Sequence, residues 1–180
     1  MESRQHIKAA ARILGVDPGL RRTGYCVLEL TDARPAGTLI EAGIIRLDAK
    51  VEMPHRLVEL QREIADIITR LCPITLACEE LYAHYKHPRT AILMGHARGV
   101  ILAAAGIARL DIVAVPSTHA KKLLTGNGHA SKNQIQRAIS AMLGLAALPE
   151  PNDIADAIAI ALAGHRLMHR EAVSCAETSV

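Results

Sequence analysis

The alternation of apolar and polar residues divides the first third of the chain into three strand-like runs and the turns between them. The runs cover residues 12–16, 24–30 and 39–47, and turn-forming residues occupy 32–37. Because only short turns separate them, these runs predict a meander of antiparallel strands.

The apolar spacing then changes to the period of a helix. Residues 53–71 carry an apolar stripe at helical intervals, and Pro73 ends this helix before a short apolar run at 74–78. The remaining pattern predicts a helix at 90–109, a strand at 111–115, and helices at 117–124, 132–143 and 153–168. A meander followed by alternating helices and strands indicates an α/β fold with a mixed five-stranded sheet flanked by helices.

The length of 180 residues favours one domain with a substantial core. We place this domain at residues 12–170 and expect residues 1–11 and 171–180 to be flexible termini. Half of the residues are hydrophobic, but we find no run both long and uncharged enough to span a membrane. The first residues lack the apolar segment of a secretory signal.

The four cysteines show no C-x-x-C spacing and lie mostly in apolar surroundings. This arrangement is typical of buried, reduced thiols rather than of a zinc or disulfide site. Together with the absence of a signal or membrane segment, it predicts a cytoplasmic protein.

The net charge is only +3, but the basic residues are unevenly distributed. Residues 81–149 hold eight Lys and Arg and a single acid, Asp111, whereas residues 1–80 hold eleven basic and twelve acidic residues. Such a region favours a basic surface for a polyanion, with an ordinary solvated basic face as the alternative.

Four carboxylates are candidates for chemistry. Asp17 and Glu79 each close a short apolar strand, while Asp153 and Asp156 lie three residues apart at the start of an apolar helix. Taken singly, each has an ordinary explanation: an aspartate that opens a turn, or acids that favour a helix dipole. Glu79 and its neighbour Glu80 should point to opposite faces of their strand, and the apolar pattern does not choose between them.

Carboxylates that converge from distant segments repel each other unless a cation lies between them. Hard oxygen ligands suit Mg²⁺ or Mn²⁺, and a protein Mg²⁺ site usually combines a few carboxylates with phosphate oxygens and water. The acids therefore predict metal-dependent chemistry on a phosphate ester.

The order of these motifs resembles the RuvC-type Holliday-junction resolvases. The likeness spans roughly residues 12–167 and rests on the segments Ile13–Gly19 with Thr23-Gly24-Tyr25, Ala77–Tyr82, Gly95–Gly99 and Asp153–Ala161. It implies an RNase H-like fold, a homodimer, paired nicks at a four-way DNA junction in recombination and repair, and cooperation with a branch-migration helicase complex.

The resemblance also implies roles for the acids. Asp17, Glu79, Asp153 and Asp156 match catalytic residues that hold two Mg²⁺ ions, for which Mn²⁺ can substitute, and the match selects Glu79 over Glu80. The expected chemistry is attack by an activated water, leaving a 5′-phosphate and a 3′-hydroxyl.

Further residues are expected to contact DNA. By the resemblance, Lys121 is a catalytic lysine near the phosphate, Lys132 a second lysine, and Tyr82 an aromatic residue that contacts unpaired bases. Arg98 matches an arginine whose role is either structural or in DNA contact. We also assign DNA contacts to Lys86 and Arg89, which lie in a basic loop.

Two features depart from the family pattern. His96 stands where glutamine is usual, and the loop at residues 84–89 is longer by one residue and different in composition. Because this loop is expected near the crossover, the preferred cleavage sequence is left open.

Three other functions are alternatives to junction resolution. The main alternative is an RNase H-like nuclease that acts on RNA–DNA hybrids or other branched DNA. A sugar kinase or actin-like ATPase needs a longer chain with two such halves, and a catalytically inactive junction-binding module would have little reason to keep four acids that repel phosphate.

Overall fold

The computed structural model describes the backbone of residues 10–31, 34–81 and 88–177, and it forms one sheet with helices on both faces. The elements are β1 (Ala11–Asp17), β2 (Arg22–Thr31), β3 (Arg34–Arg46), α1 (Met53–Leu71), β4 (Thr75–Glu79), α2 (Pro88–Ile107), β5 (Asp111–Val115), α3 (Ser117–Thr125), α4 (Lys132–Leu143) and α5 (Asn152–Glu177).

The five strands lie in the order β3-β2-β1-β4-β5. β2 pairs antiparallel with both β1 and β3. β4 pairs parallel with β1, and β5 pairs parallel with β4. The predicted mixed five-stranded sheet and its antiparallel meander are therefore confirmed.

The structure differs from the predicted boundaries at β3 and α5. β3 begins at Arg34, within residues that the sequence pattern assigned to a turn because of Pro35 and Gly37. As an edge strand, β3 tolerates a proline, and Gly37 adopts a positive φ of 82°. α5 continues to Glu177 instead of ending near residue 168, because residues 168–177 contain no glycine or proline and several strong helix formers. Residues 171–177 are therefore helical, while the flexibility expected of the two termini stays a prediction; residues 1–9 and 178–180 lie outside the described residues.

The strands β1 to β4 send side chains into two separate apolar layers, one on each face of the sheet. Ile13, Cys26 and Ala77 pack with α3, α4 and α5 on one face, whereas Leu14 and Val27 pack with α1 and α2 on the other. This alternation decides which residues at the strand ends can meet α5.

Glycines allow α5 to lie unusually close to the sheet. A Cβ on Gly15 would meet the backbone oxygen of Ala157 and lie 2.6 Å from the Cβ of Ala161, while a Cβ on Gly24 would meet the backbone oxygen of Asp153. These contacts press the first turns of α5 against β1 and β2. They fix the height of the helix over the end of β1.

α2 corrects one expectation from the sequence. Its residues Thr90–Ile107 are long and apolar enough, by length and composition alone, to cross a membrane, with a mean hydropathy of 1.5 and 22% of the window buried. This segment holds a single charged residue, Arg98, and glycine and alanine residues interrupt its larger apolar side chains. One stripe of α2, including Ala97 and Ile101, packs into the core of the domain.

The close packing of α5 predicts opposite outcomes for two glycine-to-alanine changes. Gly15→Ala should lower the free energy of unfolding by about 1–3 kcal/mol, because a new methyl group must displace α5 from the sheet. Gly106→Ala on α2, where a Cβ meets nothing within 4 Å, should leave stability unchanged or raise it by up to about 1 kcal/mol. Urea denaturation followed by circular dichroism measures both. Equal effects of the two changes would contradict the packing role of Gly15.

Candidate active site

The candidate site begins where β1 and β4 end side by side. These strands are parallel neighbours with Val16 opposite Cys78, so Asp17 and Glu79 follow at the same edge of the sheet. Both lie on the face that packs against α5, and their side chains share a hydrogen bond. The pairing selects Glu79 rather than Glu80, whose backbone N–H instead donates to the carbonyl oxygen of Val115 at 2.9 Å.

The other two acids enter from the first turns of α5. Asp156 is half-buried and lines the cleft with Asp17 and Glu79. Asp153, one turn earlier, lies at the margin of the cleft, where its Oδ2 forms an ion pair with Nη2 of Arg22 at 2.8 Å. The structure thus brings all four predicted acids to one region, with Asp153 engaged by an arginine.

Two lysines face these acids from α3 and α4. Lys121 and Lys132 line the same cleft of about 130 Å³. α4 begins with a capping box between Ser131 and Gln134, which fixes the start of the helix and therefore the position of Lys132. A cleft lined by both carboxylates and lysines suits a phosphate bridged to the acids by cations.

Burial and mutual repulsion raise the pKa values of Asp17, Glu79 and Asp156. Burial, followed by the charges of Glu79 and Asp156, raises the pKa of Asp17 to about 8 from its ordinary value of 3.8. Burial also raises the pKa of Glu79, although hydrogen bonds from Ser117 and Asp17 oppose this shift. The pKa of Asp156 rises because of burial, against the charges of Lys132 and Lys121.

The carboxylate oxygens of these acids are suitable ligands for a divalent cation. Without a cation, the hydrogen-bonded pair of Asp17 and Glu79 shares a proton, and a bound cation would take the place of that proton. Among the described residues, however, no three His, Cys, Asp or Glu side chains converge closely enough to hold a metal ion. The acids are therefore grouped but not closed around an ion, and Asp153 points instead to Arg22.

Two residues at the site had no distinguishing signal in the sequence. Ser117 begins α3 and hydrogen-bonds the Glu79 carboxyl group. Arg22 sits at the start of β2 and pairs with Asp153. A serine after a proline and one arginine of an Arg-Arg pair are too common to indicate a site, so only the fold reveals them.

The position of Arg98 favours a structural role over DNA contact, the two roles predicted for it. Its Nε donates a 2.9 Å hydrogen bond to the backbone oxygen of Glu79, tying α2 to the end of β4. Of the other predicted DNA contacts, Tyr82 and Lys86 lie outside the described residues, as does the side chain of Arg89.

Comparison with known proteins identifies the family. The family model described as crossover junction endodeoxyribonuclease RuvC matches residues 13–165. A crossover junction endodeoxyribonuclease RuvC from Rhodopirellula baltica is 45% identical over 159 residues, covering 88% of this chain and 88% of that protein. The corresponding protein from Caldicellulosiruptor saccharolyticus is 37% identical over 151 residues, covering 84% of this chain and 90% of its own.

Solved structures agree with this assignment. Thermus thermophilus RuvC in complex with a Holliday junction substrate superposes with a TM-score of 0.80 at 26% identity, covering 88% of this chain and 96% of that one. A yeast mitochondrial Holliday junction resolvase, at 12% identity and a TM-score of 0.63 over 92% of this chain and 83% of its own, shares the fold. The expected RNase H-like fold of the RuvC type is thereby confirmed.

The raised pKa of Asp17 predicts how stability depends on pH in the absence of divalent metal. Between about pH 4 and pH 8 the folded protein keeps a proton that the unfolded chain has lost, so stability falls as pH rises through this window. Asp17→Asn removes the ionisable group. The variant should match wild type near pH 4 and exceed its free energy of unfolding by on the order of a few kcal/mol above pH 8.

Urea denaturation in EDTA between pH 4 and 9 measures this difference. Asp111→Asn, which removes an exposed carboxylate at the start of β5, is the matched control and should not produce the same widening gap. If the free energies of unfolding of wild type and Asp17→Asn differ by the same amount at every pH, the raised pKa of Asp17 in a buried pair with Glu79 would be contradicted.

Proposed function

The chain belongs to the RuvC family of crossover junction endodeoxyribonucleases, and we propose that it resolves four-way DNA junctions by metal-dependent nicks in two opposing strands. The observation that carries this proposal is the cleft in which Asp17, Glu79 and Asp156 face Lys121 and Lys132. Acids able to hold cations share the cleft with lysines able to hold a phosphate, an arrangement that suits metal-assisted phosphodiester hydrolysis.

The proposed cofactor is Mg²⁺, two ions for each active site, with Mn²⁺ able to substitute. Asp17, Glu79, Asp153 and Asp156 are the residues that would hold them, because hard carboxylate oxygens suit these ions. Bound ions of this kind would supply an activated water and positive charge that stabilises the leaving 3′ oxygen. The products would then be a 5′-phosphate and a 3′-hydroxyl.

The side chains around the acids have separate tasks in this proposal. Lys121 and Lys132 place positive charge beside the phosphate and stabilise the charge that builds on its oxygens. Ser117 holds the Glu79 carboxylate, and Arg98 holds the backbone of the same residue. Each lysine acts on the DNA, whereas Ser117 and Arg98 act through Glu79.

DNA contacts extend beyond the cleft. We assign base stacking at the crossover to Tyr82 and phosphate contact to Lys86 and Arg89, from their position after β4 and their similarity to the family pattern. The excess of basic over acidic residues between positions 81 and 149 supports this assignment.

The proposed working unit is a homodimer, because a two-fold symmetric junction requires two cuts related by symmetry. The outward stripe of α2 supports this proposal. Its residues Ile92 and Ile107 are 60% and 76% exposed, and Gly95 and Gly99 between them border open space that a second helix could occupy. Exposed apolar patches of this kind are typical of protein interfaces. The proposal further places the protein in the cytoplasm, with a branch-migration helicase complex as its partner.

Cleavage of a labelled four-way junction tests the proposed reaction. With Mg²⁺, the wild type should introduce paired nicks into a mobile junction and leave a matched linear duplex intact. Asp17→Asn should lose at least about 100-fold in rate while still binding the junction, because it removes a carboxylate central to the acidic cleft. Preferential cutting of an RNA–DNA hybrid would instead support the alternative nuclease function, and binding without cutting in either Mg²⁺ or Mn²⁺ would leave a binding module.

A charge on the exposed stripe of α2 should break the proposed dimer. Ala103→Glu places a carboxylate among the exposed apolar residues of this stripe, and sedimentation should then detect monomers where the wild type forms dimers. Val58→Glu, on the exposed side of α1, is the control and should remain dimeric. Ala103→Glu should also separate the paired cuts into single nicks. Dimers of unchanged affinity in Ala103→Glu would exclude this stripe as the interface.

A further inference from the structure

Two arginines lie face to face at the edge of the active site. Arg22 and Arg46 are direct cross-strand partners where β2 begins and β3 ends, and both are exposed. Partners in an antiparallel pair project from the same face of the sheet. That face is the one covered by α5, because Gly24, two residues after Arg22, contacts Asp153.

This arrangement is unfavourable in the protein alone. Like charges placed directly opposite each other on neighbouring strands destabilise a sheet, and positive charges close to the start of a helix oppose its dipole. Asp153 compensates Arg22 through the 2.8 Å ion pair. Among the described residues Arg46 has no ion pair, and the nearby Asp48 accepts a hydrogen bond from the backbone of Lys50.

A phosphate group would satisfy both arginines at once. Guanidinium groups bind phosphate oxygens in a bidentate manner, and the nearby start of α5 adds further attraction for an anion. Lys121 and Lys132 line the cleft itself, whereas Arg22 pairs with Asp153, which lies outside the cleft lining. A DNA strand that leaves the cleft past Asp153 would therefore meet further positive charge from the two arginines.

The ion pair of Arg22 gives this contact a consequence for the metal site. Arg22 engages the one predicted metal ligand that does not line the cleft, and the described acids do not close around an ion. Both side chains of the pair are partly exposed, at 46% and 30%, so either can exchange its partner without unpacking the core.

We propose that Arg22 and Arg46 bind a phosphate of the junction backbone and that Arg22 exchanges Asp153 for this phosphate, releasing Asp153 to the metal site. The proposal rests on the proposed function, because it assumes a DNA strand in the cleft. It makes Arg22 a positioning residue: in the free protein it restrains Asp153, and in the complex it holds DNA.

Junction binding tests the phosphate contact. Arg46→Gln and Arg22→Gln should each weaken binding in EDTA roughly five- to tenfold in 0.1 M salt and lower the slope of log affinity against log salt by up to about 0.9, the value for one fully lost phosphate contact. Arg62→Gln removes the same charge from the exposed side of α1, on the opposite face of the sheet, and should leave both quantities unchanged.

Metal binding to the DNA-free protein tests the exchange. In a Mn²⁺ titration followed by electron paramagnetic resonance, Arg22→Gln should bind Mn²⁺ about two- to fivefold more tightly than wild type, because Asp153 is no longer held in an exposed ion pair. Arg46→Gln removes an equal positive charge from the cross-strand position but does not release Asp153. It therefore measures how much the loss of a nearby positive charge alone changes Mn²⁺ affinity, and this change should be smaller. Adding Asp153→Asn to Arg22→Gln should abolish the gain.

The outcomes separate this inference from the proposed function. Variants that bind the junction with wild-type affinity and salt slope, in a protein that still cuts junctions, would overturn the phosphate site alone. Equal Mn²⁺ affinities for Arg22→Gln and Arg46→Gln would overturn the exchange. A wild-type protein that neither binds nor cuts the junction would overturn the proposed function and the phosphate site together.

Discussion

The candidate site depends on the close approach of α5 to the sheet. At Gly15 and Gly24 the helix backbone lies where any larger residue would place its Cβ, and at the far end Gly164 brings the helix against Ala77, whose Cβ would lie 2.6 Å from a Cβ at 164. Two glycines on the strands and one on the helix therefore set the distance between α5 and the sheet. Because the acids of α5 project from its first turns, that distance decides whether they meet the acids at the ends of β1 and β4.

Bringing these acids together has an electrostatic cost that the fold only partly offsets. Asp17 and Glu79 share a hydrogen bond, the charges of Lys121 and Lys132 reduce the pKa shift of Asp156, and Arg22 holds Asp153. Burial still raises the pKa of Asp17 to about 8. A cation bound at such a site would relieve a repulsion that packing imposes on the unliganded state.

The sequence predicted the elements better than the relations between them. The meander, α1 and the helical start of α5 follow from apolar periodicity, and Asp17 and Glu79 were recognised as strand ends. The choice of Glu79 over Glu80 could not come from periodicity, because β4 is buried on both faces and its apolar run does not alternate. The partners of Glu79 and Asp153 lie far away in the chain, on α3 and β2, so no local pattern signals Ser117 or Arg22.

The distribution of charge around the cleft also bears on the order of binding. A phosphodiester approaching bare carboxylates is repelled, so cations or basic side chains must reach it first. Lys121 and Lys132 line the cleft and Arg22 lies beside Asp153 outside it, so basic side chains are available to a phosphate both within the cleft and at its margin. An arginine that satisfies an acid in the free protein and a phosphate in the complex lets both states keep their charges paired. Under the proposed exchange, the same residue would link the arrival of DNA to the completion of the metal site.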